Sequence, residues 1–180
     1  MMGYKTVTLS RCKIHNLTFP LLSMMEASGA KNHAEEVKKV LADAQERQIE
    51  ISYDGSWTMD PELRNDKAES EYLKDLMTGI YTQYHSHFRI PEILGLGLLR
   101  FKTEQYFQNI GFELIHKGGQ VLPSVEMKSL QNEPVILMHL KAFSEEALAK
   151  SQEFKPIWDN RIEISDPLAP NRFGSKKKAA

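Results

Sequence analysis

The chain has 180 residues, 41% of them hydrophobic and 26% charged, with a formal net charge of -1. That length suits one domain, or one domain with an arm, and the composition excludes wholesale disorder. The balanced charge demands neither nucleic acid nor an anionic membrane as partner, and the single cysteine, Cys12, rules out an intramolecular disulfide.

Met1 to Arg11 lacks a long apolar h-region, so no signal peptide is expected. The most apolar window, Ile93 to Leu99, is far shorter than the ~20 residues of a membrane span, and Arg100 closes it. These features place the chain in a reducing cytoplasm.

Tyr4 to Arg11 alternates in polarity and reads as a strand. Leu17 to Ala27 is apolar and Met-rich, and Pro20 suits the first turn of a short helix that Gly29 ends. Asn32 and Glu35 stand in capping-box positions ahead of a stripe of Val37, Val40, Leu41 and Ala44, which predicts a surface helix with one docked face. Ile49, Ile51 and Tyr53 alternate with polar residues. Asp54-Gly55 then favours a two-residue turn into Trp57 and Met59, predicting a β-hairpin.

Large apolar residues from Tyr72 to Phe88 recur three and four apart, the spacing of one helix face. With Pro61 at its start, this is read as a long helix, Pro61 to Phe88. Ile90-Pro91 breaks it, and a second helix is predicted from Pro91 to Ile110, with Gly111 as its C-terminal cap. Gly95 and Gly97 weaken such a helix by ~1 kcal/mol each, a cost that close approach of another backbone explains.

Phe112 to Lys128 reads as a second hairpin around Gly118-Gly119, with Pro123 confining the return strand to an edge. Pro134 to Phe143 fits a buried strand or a helix start equally well. Ser144 caps a helix through about Gln152. From Phe154 the spacing of prolines and large apolar residues suggests an extended docking arm.

The expected fold is therefore α+β, a single domain. Two central amphipathic helices pack on a small antiparallel sheet of hairpins. The globular part spans 1–153, the docking arm 154–173 and a basic tail 174–180.

His85 and His87 lie two apart. On a strand they would share a side, but on a helix they diverge by roughly 200° and cannot grip one metal. His116 and His139 are the third ligands a metal reading would need. Cys12 and His15 place a thiol and an imidazole in one segment, for which a structural thiol is the simpler account. Gly95-Leu96-Gly97 lacks the third glycine of a phosphate loop, because Arg100 holds that position.

Tyr106 to Glu113 resembles the helix-to-strand junction found late in acetyltransferases of the GNAT superfamily, and in some glyoxalase-like folds. The resemblance covers eight residues and implies a pyrophosphate-binding Gly-x-Gly turn upstream, between a strand and a helix. That turn is not found. A helix end, a glycine cap and an aromatic strand start explain the same letters.

The sequence assembles no convergent acid, base, nucleophile or metal set, so no catalytic residue, cofactor or metal is assigned. The expected function is a non-enzymatic cytoplasmic adaptor or chaperone-like protein. It would hold a partner protein or peptide through an apolar groove and the C-terminal arm, with Trp158, Arg161, Ile162 and Phe173 in contact. The alternative is a small enzyme with a dispersed site drawn from His85, His87, His116 and Cys12. A nucleic-acid-associated factor using Lys176 to Lys178 ranks third. No membrane is expected as a partner.

Overall fold

The computed structural model describes residues 2–162, which form a single α+β domain: helices cover both faces of one mixed sheet. Strand β1 (Met2–Thr8) leads into α1 (Leu9–Ile14), α2 (Pro20–Ala27) and α3 (Lys31–Glu46). Next come β2 (Ile51–Met59), a 3-10 turn over Pro61–Arg64, α4 (Lys67–Phe88) and β3 (Glu92–Leu98). A 3-10 turn over Leu99–Phe101 precedes α5 (Thr103–Ile110), which is followed by β4 (Phe112–Leu114), β5 (His116–Lys117), β6 (Gln120–Val121) and β7 (Val125–Met127). A last 3-10 turn (Lys128–Leu130) leads to β8 (Glu133–Leu140), α6 (Glu145–Glu153) and α7 (Lys155–Asp159).

The sheet order is β1-β2-β3-β8-β4, with β7 pairing the first half of β8. Only β2 and β3 run parallel, joined through α4. Alternate residues of the central strands feed two cores. Leu94 and Leu137 face Val37, Leu41 and Met25 of the first three helices. Ile93 and Met138 face Tyr81, Phe107 and Ala147 of α4, α5 and α6.

Several expectations are corrected. The second central helix does not exist as read: Glu92–Leu98 is a strand, and only Thr103–Ile110 is helical. A strand buried on both faces has the same unbroken apolar run as a buried helix. Gly97 does answer to a close backbone, since a Cβ there would lie 2.9 Å from Glu104 Cα and α5 presses directly on β3, whereas a Cβ at Gly95 would meet the Phe112 ring at 3.3 Å.

The Asp54-Gly55 hairpin is also absent, because β2 continues through it as one strand. Its turn letters mark a β-bulge instead. Between the pairs Gly3↔Thr58 and Lys5↔Gly55, β2 carries one residue more than β1, and Ser56 takes a positive φ of 58°. The bulge returns Trp57 to the same face as Asp54. The sheet is thus mixed rather than a set of antiparallel hairpins.

At α3, Ala30 and not Asn32 holds the cap position, without a side-chain cap bond. Asn32 and Glu35 instead accept from Lys117 Nζ at 2.8 and 2.7 Å.

Several local readings hold. Pro20 opens α2, Gly118-Gly119 turns β5 into β6, and Ser144 Oγ accepts from Ala147 N at 3.1 Å. The long helix begins later than expected, after Asp66, whose carboxylate caps it through Glu69 N at 3.0 Å.

Candidate functional site

Two features converge on the centre of the sheet. The first is a gap between parallel strands. β2 and β3 pair only from Ile51↔Glu92 to Asp54↔Gly95, yet β2 continues to Met59 and β3 to Leu98. Beyond the last pair, β2 keeps only β1 as a strand partner and β3 keeps only β8, among the described residues. The N-termini of α4 and α5 follow the carboxyl ends of these two strands. In open α/β sheets such a place is where ligands dock. Trp57 reaches across on the α4 side, its ring 5.3 Å from Phe107 and 4.9 Å from Tyr81.

The second is a buried polar cluster at the apex of that gap. Asp54 comes from β2 and His85 from α4; their side chains are 1% and 0% exposed, and His85 Nε2 lies 2.8 Å from Asp54 Oδ2. The contact is a close approach that does not follow the ring N–H direction, so neither atom has a hydrogen-bond partner. Ser52 Oγ donates to Asp54 Oδ1 at 2.9 Å, and His85 Nδ1 meets the Tyr81 carbonyl at 2.8 Å. Burial first, then the Asp54 charge, pushes the Tyr81 phenol well above its ordinary value, and Tyr4 shifts the same way for the same reasons.

His85 Nδ1 is taken by the Tyr81 carbonyl, whereas Nε2 lies beside Asp54 Oδ2 without a hydrogen bond, and the ring is fully buried. The pair's evident work is to pin α4 to β2. Buried polar groups that lose a neighbour cost about 1–3 kcal/mol each, so removing either side chain is destabilising.

A second charged chain lies on the other face. His139 Nε2 meets Glu92 Oε2 at 3.0 Å, Arg47 donates to Glu92 Oε1 at 2.6 Å, and Arg47 Nε donates to Asp43 at 2.8 Å. Burial, outweighing the opposing Glu92 carboxylate, holds the His139 imidazole below its ordinary range.

The residues singled out in the sequence scatter. His85 is buried and His87 exposed, as helical divergence requires. His116 is exposed on the small β5–β6 pair, far along the chain from either buried pair. Cys12 is buried at 2% exposure, with its thiol pushed up by burial and by the Glu50 charge, while His15 is exposed. That environment disfavours the reactive thiolate. Among the described residues no group of three or more His, Cys, Asp and Glu side chains is arranged to hold a metal. No helix there is long and apolar enough to cross a membrane.

Of the arm residues, Trp158 is buried and packs its ring 5.6 Å from His87 and 6.4 Å from Tyr84. Arg161 lies over the Trp158 ring at 3.8 Å and donates to the Trp158 carbonyl. Ile162 is 90% exposed. Phe173, the rest of the arm and the basic tail lie outside the described residues.

Sequence reasoning missed Asp54, Ser52, Tyr81 and Glu92. Ser52 and Asp54, two apart between the apolar Ile51 and Tyr53, do place a polar pair on one side of a strand. That was the available signal.

No family model, curated protein or solved structure matches this chain.

Proposed function

We propose that this is a non-enzymatic binding protein. It takes an extended segment of a partner protein along the diverging halves of β2 and β3, with the chain from Trp158 onward as a second contact. One observation carries the reading: strand pairing stops at Asp54 and Gly95 while both strands run on. Unpaired strand edges offer backbone N–H and C=O groups that an added strand satisfies, and side chains such as Trp57 supply an apolar wall.

In the arm, Trp158 anchors the chain on α4. Ile162 and Phe173 are the residues proposed to meet the partner, and Arg161 holds the Trp158 ring in place.

A peptide selected from a random library against the full chain tests this, read by amide hydrogen exchange. The expected result is slowed exchange at Gly55 to Met59 and at Leu96 to Leu98, with weaker binding in Ile162→Asp. Selected peptides that leave those amides unchanged would refute it.

A second reading is acetyl transfer, favoured by the path around Gly111. There α5 ends on a left-handed glycine, φ 119°, and β4 starts at Phe112, the junction that resembles GNAT acetyltransferases. The upstream strand-to-helix turn falls at 60–66. It carries no glycine, and the Asp66 carboxylate already occupies the start of α4. A helix start capped by its own anion is poorly suited to pyrophosphate. Calorimetry with acetyl-coenzyme A separates the two readings: saturable binding supports acetyl transfer, and no heat of binding refutes it.

A further inference from the structure

At the end of the sheet opposite the diverging strands, the last turn of α4 and the β8–α6 turn enclose an open cleft of about 410 Å³. Its lining includes His85, Ser86, Arg89, Pro91, Lys141 and Phe143. That volume falls within the ~300–1,000 Å³ typical of small-molecule sites.

Two cations, Arg89 and Lys141, are among its lining residues. Among the described residues neither has an ion pair or a side-chain hydrogen bond, so both charges are available to a ligand, as are those of scattered surface lysines such as Lys5 and Lys128. Arg89 also holds a left-handed backbone, φ 54°, at the C-terminal cap of α4. Glycine is the usual occupant of that position, and Lys102 and Gln131 take the same conformation at the ends of 3-10 turns.

Helix C-termini repel anions through their free carbonyls. Here Ile90 N donates to the His85 carbonyl at 2.9 Å and Arg89 N to the Ser86 carbonyl at 3.3 Å, which screens that end. His85 also lines the cleft, but its ring is fully buried beside Asp54 and offers the ligand no polar atom. Pro91 and Phe143 supply apolar surface.

We propose that this cleft binds a small organic carboxylate with an apolar body. The carboxylate is held between the Arg89 guanidinium, a planar fork matched to it, and the Lys141 ammonium; the body lies against Pro91 and Phe143. The apolar walls distinguish this ligand from a strongly hydrated inorganic anion. The site is separate from the strand gap and stands whether or not a partner binds there.

The test is a titration of the full chain with benzoate, followed by amide NMR shifts. Benzamide and inorganic phosphate serve as the uncharged and non-apolar controls. The expected result is saturable benzoate shifts confined to Ser86–Ile90 and Lys141–Phe143, with each control at least about tenfold weaker.

Arg89→Gly removes the cation while relieving the backbone strain, so the fold is retained; benzoate binding should fall about tenfold, as it should in Lys141→Gln. Shifts that are absent or spread over the surface, a control that binds as well as benzoate, or unchanged binding in Arg89→Gly each overturn the assignment.

Discussion

Asp54 and His85 meet 2.8 Å apart in the core, one from β2 and one from α4, with no solvent reaching either side chain. The contact ties the helix to the strand at the last residue where β2 still pairs with β3.

Asp54→Ala should therefore destabilise the fold by about 1–3 kcal/mol, because it removes the acceptor of the buried Ser52 hydroxyl and empties the space beside the His85 ring. The double variant Asp54→Ala with His85→Leu should recover part of that loss. Urea unfolding of the four members of the cycle measures it; a double variant as unstable as the sum of the singles contradicts the pairing.

Gly97→Ala should cost about 1–3 kcal/mol, since its Cβ would fall 2.8 Å from Glu104 Cβ and 2.9 Å from Glu104 Cα. Gly3→Ala meets nothing within 4 Å and serves as the control, within about 0.5 kcal/mol of the parent. Thermal unfolding compares them.

Acid should weaken the fold through His139. Its imidazole is held below the ordinary value of about 6.5, so below that pH the unfolded chain binds a proton that the folded chain resists. Stability is present above pH 6.5 and is lost as pH falls through the depressed value. His139→Gln keeps a donor for Glu92 and should flatten this slope in stability measured from pH 7 to 5.

Alkali should act through the phenols. Burial, with the Asp75 charge adding and the Thr78 hydrogen bond opposing, leaves Tyr106 pushed up to about 12, and Tyr81 lies well above 10. Above about pH 10 the unfolded chain releases these protons and the folded chain does not, so stability falls as pH rises. The phenolate absorbance of the buried tyrosines should rise together with the loss of far-ultraviolet ellipticity, not before it.

Trp158→Ala should loosen α7 from α4, costing up to about 3–5 kcal/mol if the end of the domain unfolds with the rest. Arg161→Ala should cost only about 0.5–1 kcal/mol from the lost stacking over the ring. Tryptophan fluorescence during urea unfolding reports both. A partner-binding defect in Arg161→Ala at unchanged stability would assign that side chain to the interface.

The sequence made local devices legible. The stripe from Tyr72 to Phe88, Pro20 in its first turn, Ser144 before Glu145 and the Gly118-Gly119 turn are written within a few residues, and each is found. What depended on distant partners was hidden. Ile93 to Leu98 is apolar at every position because helices cover both of its faces, and that pattern carries no period. Asp54 beside Gly55 has the letters of a turn, and only His85, brought over by α4, gives its carboxylate a place inside. The imidazole was recognised as a candidate, but its counterpart could not be chosen among so many acids. The arm's first turns fold as α7 because Phe154 and Trp158 find a surface on α4, which no local spacing announces.

β8 lies between β3 and β4, so the middle of the sheet is supplied by a strand that is made after both of its neighbours. While the chain is still emerging from a ribosome, β3 has one side open and β4 has no strand partner. The fold cannot close until Leu140 is free to insert. A nascent chain stalled before that point should display bare edges, and it is there that a holdase would find this protein most in need of cover.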